Sequence, residues 1–237
     1  MALRDFLERV EENRPELVLY TAADDPDVAE LFSTRAVSLR TRSLPSVSSD
    51  GFLVIRADGE FVSSIGFREL REFLEPPIYR PWDDGLIGAG YCTLLEVLDD
   101  TLWYTLDRRQ LLATSREIEN RAWRVGTGTL VAGFQRPGAL ESQVPVYDRL
   151  SRETDLGVTV HCRADRAPSA IPDATVRVHA SEEIGTHWLL AYDGGSDDLQ
   201  SCALLARERE PGAYAGFWTY DPGFVAEILE YVRERYG

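Results

Sequence analysis

The chain has 237 residues, with 40 acidic residues against 25 basic ones, every one of them arginine, and a formal net charge of −15. The acidic surplus repels nucleic-acid phosphates and anionic lipid, which disfavours a nucleic-acid reader or a membrane-surface protein. The absence of lysine excludes a Walker lysine and Schiff-base chemistry, and no apolar run approaches the roughly 18–20 residues that span a bilayer.

The start, Met1 to Phe6, is amphipathic and quickly acidic, unlike a secretory leader, so the expected location is cytoplasmic. Abundant Asp and Glu without lysine fit molar salt, where the Debye length shrinks to about 3 Å and self-repulsion is screened. A GC-rich genome would also remove lysine, but it does not account for the excess of acids.

Leu3, Phe6, Leu7 and Val10 have helical spacing. Leu17 to Tyr20 reads as a short buried strand. Asp25-Pro26 is an N-cap and first helical residue, with Val28, Leu31 and Phe32 behind it. A second strand is expected over Ala36 to Leu39, and a polar loop over Ser43 to Asp50. Phe52 to Ile55 and Phe61-Val62 flank the turn Ala57-Asp58-Gly59, a hairpin signal. Phe67, Leu70, Phe73 and Leu74 predict another helix. Residues 1–75 thus form an N-terminal α/β segment.

The stretch 76–106 is a connecting region, opened by Pro76, Pro77, Pro81 and several glycines and containing a helical turn near Leu94 and a strand at Leu102 to Tyr104. Residues 107–237 hold the clearest pattern. Asp107 and Gln110 have capping-box spacing, Leu111, Ser115, Ile118, Ala122 and Val125 share one face, and Gly126 stops the helix. Strands follow at Thr129 to Phe134, Val158 to His161 and Val176 to Val178, with a helix at Val146 to Leu150 before the second. Trp188 to Tyr192 and Ala203 to Ala206 flank an acidic loop, Asp193 to Asp198. An aromatic strand, Phe217 to Tyr220, precedes a last helix capped by Asp221-Pro222. The whole predicts an α/β fold: a mixed sheet flanked by helices.

Few residues carry a catalytic signature. Gly126-Thr127-Gly128 follows a helix and precedes a strand, the reverse of a dinucleotide fingerprint. Cys92, Cys162 and Cys202 are widely spaced and form no C-x-x-C, and His161-Cys162 would point to opposite faces of a strand. No metal site is expected. Three carboxylates in the Asp193 to Asp198 loop could meet a hard cation, but a solvated turn is the plainer reading. Ser115 to Arg124 places Arg116, Glu117, Glu119, Arg121, Trp123 and Arg124 around one helix. By spacing this is a solvated face laced with ion pairs; the alternative is an arginine that grips an anion.

The run from Leu111 to Gln135, LLATSREIENRAWRVGTGTLVAGFQ, resembles the DICT sensory domain, named for its association with diguanylate cyclases and two-component systems. The resemblance continues through Val146 to Leu150 and Gly157 to His161, and the tail Gly216 to Pro222 looks like the halophile branch of that family. The resemblance, which covers about 107–232, implies a signal-input module rather than an enzyme and brings no known ligand, cofactor or catalytic residue; unlike many family members, the chain is expected to stand alone without an output domain. The positions that match are Ser115, Arg116, Glu119, Trp123, Phe134, Gln135 and Tyr147. Of these, Arg116, Glu119, Trp123, Gln135 and Tyr147 are the candidates for binding a small ligand or a signalling partner. Gln135, at the end of a central strand, stands where α/β sheets tend to bind ligands. Alanine at Arg116 or Gln135 is then expected to abolish signalling without a large loss of stability. Two other readings stay open: an enzyme using paired carboxylates with His161 or His187, and an adaptor binding a protein through Trp218 and Tyr220.

Overall fold

The computed structural model describes residues 1–11, 16–21, 38–43, 51–57, 59–66, 76, 78–83, 95–96, 99, 103–164 and 170–237. The helices expected at Asp25 and Phe67, the 44–50 loop, Cys92 and most of the 76–90 stretch lie outside these residues.

Helix α1 (Leu3–Glu11) comes first. Strands β1 (Glu16–Thr21), β2 (Ser38–Ser43), β3 (Phe52–Ala57) and β4 (Glu60–Gly66) form a small sheet in the order β2-β1-β3-β4. The turn signal at Gly59 does join β3 to β4 as antiparallel neighbours, with Gly59 at φ 83°.

The large sheet is built from β5 (Trp103–Asp107), β6 (Thr127–Phe134), β7 (Asp155–Arg163), β8 (Thr175–His179), β9 (His187–Tyr192), β10 (Cys202–Glu210) and β11 (Ala213–Thr219), in the order β5-β11-β10-β9-β6-β7-β8. Only β6, β7 and β8 run parallel; the other neighbours are antiparallel. Helices α2 (Arg108–Val125), α3 (Pro137–Glu141), α4 (Val144–Glu153), α5 (Glu182–Thr186) and α6 (Pro222–Tyr236) complete the fold, a mixed sheet flanked by helices. The short α3 and α5 were not expected.

Both faces of the large sheet are covered, which is why its central strands read as unbroken apolar runs. Alternate residues Val131, Leu189, Ala191, Ala203, Leu205 and Phe217 face α1 and α6. There Phe217 stacks on Phe224 at 5.5 Å, and Phe6 lies 5.8 Å from the same ring. Leu130, Ala132, Leu190, Tyr192, Leu204 and Trp218 face the other way, into a cluster that takes in Leu111, Ile118 and Ala122 of α2 and Leu53, Ile55 and Ile65 of the small sheet. The alternation separates His161 from Cys162 as expected: Cys162 joins the α2 side, and the His161 ring lies 6.1 Å from Tyr236 of α6.

Helix α2 begins and ends as its sequence dictates. The Asp107 side chain accepts from the Gln110 N–H at 2.8 Å, and the Gln110 side chain accepts from the Asp107 N–H at 3.1 Å. Gly126 ends the helix at φ 73°, its N–H donating to Ala122. Asp107→Ala should cost about 1 kcal/mol, measured by urea denaturation; an unchanged midpoint would show that β5, not the cap, holds this helix end. Gly128 answers to a different demand. It sits at φ 99°, and a Cβ there would run into Asp193 and into Gly195, 2.6 Å from its Cα.

The middle of α2 overturns the solvated face expected for Ser115 to Arg124. Eleven of its 18 residues are buried, including Arg116, Glu117, Glu119 and Arg121, too many for a helix with one dry stripe. The expected pairing of Glu117 with Arg121 is present at 3.0 Å, but inside the protein.

Candidate functional site

The parallel register of β6 and β7 places Phe134 beside Cys162, so Gln135 and Arg163 leave the sheet at the same edge. Strand β9 runs antiparallel to β6 with Gly133 opposite Leu189, which brings its first residues, and α5 before them, to that edge too. Glu208 at the end of β10 pairs with Tyr214 at the start of β11, and the first turn of α2 closes the arc. Gln135 thus follows the carboxyl end of β6, the end of a strand beyond which α/β sheets tend to bind ligands.

A cavity of about 270 Å³ lies there. Its apolar wall is Leu112, Phe134, Ala139, Trp188 and Tyr214, with the Trp188 and Tyr214 rings edge to face at 6.2 Å. Its polar groups are Gln135, Gln143, Arg108, Arg136, Arg163 and Glu208. The Trp188 indole N–H donates to Ser115 Oγ at 3.0 Å, and that hydroxyl donates to the Leu111 carbonyl at 2.8 Å, so α2 fixes the ring. Gln135 Nε2 is buried and has no hydrogen-bond partner. Burial raises the Tyr214 hydroxyl above its ordinary pKa and Glu208 adds to this, while the positive charges of Arg108 and Arg136 oppose it; both guanidinium groups therefore act on the same wall.

Behind this wall lies a buried polar chain. Arg116 donates to Glu119 and, through its other nitrogen, to the side-chain oxygen of Gln143. Tyr147, on α4, is hydrogen-bonded to Glu119 and packs edge to face on Phe134 at 5.6 Å. Burial raises the Glu119 pKa although Arg116 and Tyr147 pull it down, and burial with the neighbouring Glu119 charge drives Tyr147 well up. Of the five candidate residues, Gln135 lines the cavity. Arg116, Glu119 and Tyr147 reach it only through Gln143 and Phe134. Trp123 is elsewhere: it packs edge to face on Trp82 at 5.8 Å, with the Arg149 guanidinium 4.2 Å from Trp82 and 5.3 Å from Trp123.

The remaining polar residues are disposed as follows. Asp193 Oδ1 accepts from Thr129 and Gly195 backbone N–H groups, and Asp197 accepts from Leu199. Among the described residues no group of three or more His, Cys, Asp or Glu could hold a metal ion. His161 Nδ1 and His179 Nε2 are 2.9 Å apart, beside a second, more open cavity of about 550 Å³ under α6. His187 lines neither cavity; its Nδ1 is 2.8 Å from the Glu183 carbonyl. The Glu183 carboxylate accepts from Tyr231, Tyr236 and the Leu3 N–H. Trp218 is fully buried and donates to the Leu95 carbonyl at 2.7 Å, a core residue and not a surface anchor.

These features define an α/β domain with a mixed sheet and a ligand-sized cavity beyond the carboxyl end of its central strand β6. Residues 93–209 match the DICT family, the sensory domain in diguanylate cyclases and two-component systems, and this segment of the chain belongs to it. Every wall residue of the cavity except Tyr214 falls within it. The crystal structure of the polyphosphate kinase from Porphyromonas gingivalis is similar over 96% of this chain and 47% of that one, at 10% identity and a TM-score of 0.37, so the chain spans about half the length of that kinase. No curated protein matches the chain. No described helix is long and apolar enough to cross a membrane.

Proposed function

We propose that this DICT segment senses a small molecule in the cavity beyond β6. The observation that carries the reading is the Gln135 amide, a buried donor without a partner on the cavity wall. A buried amide left unpaired costs about 1–3 kcal/mol, so an acceptor brought by a ligand would be strongly favoured there. In this reading Arg116, Glu119 and Tyr147 do not touch the ligand. They hold Gln143 and Phe134 in place and couple the wall to α2 and α4, while Trp123 belongs to the neighbouring Arg149 stack. The reading favours a sensor over an enzyme, since neither His161 nor His187 lines this cavity and the side-chain hydrogen-bond contacts of His161 and His187 are to His179, the Glu183 carbonyl and Thr186. The acidic, lysine-free composition supports work in a salt-rich cytoplasm.

The test is mass spectrometry of small molecules released by heat from protein purified in molar KCl. A compound should leave the wild type at about one per chain and be reduced at least tenfold in Ala139→Trp, which fills the cavity. A compound retained by Ala139→Trp, or a folded wild type with nothing bound, would transfer the sensing role to a protein partner.

A further inference from the structure

We infer that the ligand of this cavity is a small oxyanion carried on a flat apolar group: a carboxylate or phosphate ester of one or two rings. This rests on the cavity being the sensor's ligand site, and it adds the chemical class.

Among the hydrogen-bonding groups left over on the wall, charged donors outnumber charged acceptors three to one. Gln135 Nε2 is an unpartnered amide donor. The Gln143 side-chain oxygen is already taken by Arg116, and the Trp188 N–H by Ser115. Arg108, Arg136 and Arg163 line the cavity, and among the described residues none of the three has an ion-pair partner. Three arginines face one carboxylate, Glu208, which already accepts from the Gly212 N–H at 3.1 Å. This is a local positive surplus in a chain whose net charge is −15. Guanidinium groups bind carboxylate and phosphate through paired hydrogen bonds. Such contacts persist in molar salt, where a Debye length of about 3 Å cancels attraction at longer range.

Size and shape supply the rest. A cavity of about 270 Å³ is less than twice the roughly 150 Å³ that holds benzene, so it takes one or two rings and not a dinucleotide. Phe134, Trp188 and Tyr214 give flat apolar surface for that part of the ligand. Arg163, although exposed, passes with its Cδ over Gly185, where any Cβ would meet it.

The experiment follows the Trp188 indole N–H by NMR in the ¹⁵N-labelled full chain in molar KCl, titrated with phenyl phosphate, benzoate and neutral benzamide. Phenyl phosphate or benzoate should saturate the signal at a concentration at least tenfold below benzamide. The stronger of the two anions separates a phosphate ester from a carboxylic acid. Arg136→Gln with Arg163→Gln should weaken the anions about tenfold or more and leave benzamide unchanged. Gly185→Ala, which keeps every charge but displaces Arg163, should weaken them in the same sense. Benzamide binding as tightly as the anions, or anion binding indifferent to these variants, overturns the oxyanion while the cavity stands. No response of Trp188 to any of the three probes overturns the cavity reading and the oxyanion with it.

Discussion

Arg116→Ala is expected to destabilise the protein by about 3–5 kcal/mol at neutral pH. Arg116 is 7% exposed and Glu119 1%, so the substitution leaves a carboxylate in the interior with only the Tyr147 hydroxyl to face it. It also frees the side-chain oxygen of Gln143. The effect should depend on pH. Burial already raises the Glu119 pKa, and Arg116 is the largest influence pulling it down; without Arg116 it rises further. A group whose native pKa is raised stabilises at low pH and loses that contribution as pH climbs through the native value. The cost of the substitution should therefore shrink on acidification, as Glu119 becomes neutral and no longer needs a counterion. Urea denaturation at pH 7 and at about pH 5 checks both points. A loss under about 1 kcal/mol, typical of an exposed pair, would place Arg116 in solvent. The double variant Arg116→Met with Glu119→Leu should recover most of the loss, because an apolar pair removes both desolvation costs. This revises the expectation drawn from sequence: loss of signalling in Arg116→Ala would accompany loss of fold, and Gln135 is the residue whose substitution tests binding.

What the sequence made legible was local. Asp107 with Gln110, Gly126, Asp221-Pro222 and the Gly59 turn each act over a few residues, and each element they punctuate is present. The place of Gln135 on a cavity wall was legible because the carboxyl end of a central strand follows from strand position alone. The burial of α2 was not. Its charged residues fall on every side, and spacing arguments assign charge to solvent; they become interior because distant segments close over them, Gln143 and Tyr147 on Arg116 and Glu119 and Tyr220 on Arg121. Arg163, Trp188 and Tyr214 were missed for a related reason. They meet Gln135 through the registers of β7, β9 and β11, which no local pattern encodes. Helix α5 had a signal that went unread: Ser181 caps it by accepting from the Glu183 N–H at 3.2 Å.

The second large effect is a loss of stability in acid through His161. This imidazole is 2% exposed, lies 2.9 Å from His179, and feels the Arg177 charge from the neighbouring strand. Burial first, then His179 and Arg177, lower its pKa from 6.5 to about 4, and burial with Arg177 lowers His179 as well. Between those values the unfolded chain takes up a proton that the native state refuses, so stability falls as pH falls. For His161 alone this amounts to about 2 kcal/mol between pH 7 and pH 5 and about 3 kcal/mol by pH 3. Two carboxylates act alongside. Glu183, held low by Tyr236, Tyr231 and the Leu3 N–H, adds to the acid loss as it protonates; Glu119, held high by burial, opposes it. His161→Phe isolates the imidazole, since the ring can still pack against Tyr236 but cannot titrate. Urea midpoints for the variant should vary less between pH 7 and pH 5 than those of the wild type, by an amount matching about 2 kcal/mol. Identical pH dependence in the two proteins would mean that His161 is hydrated and titrates near its ordinary value. Because the pair lies under the C-terminal helix, hydrogen exchange in wild-type α6 should accelerate before that of α2 as pH is lowered.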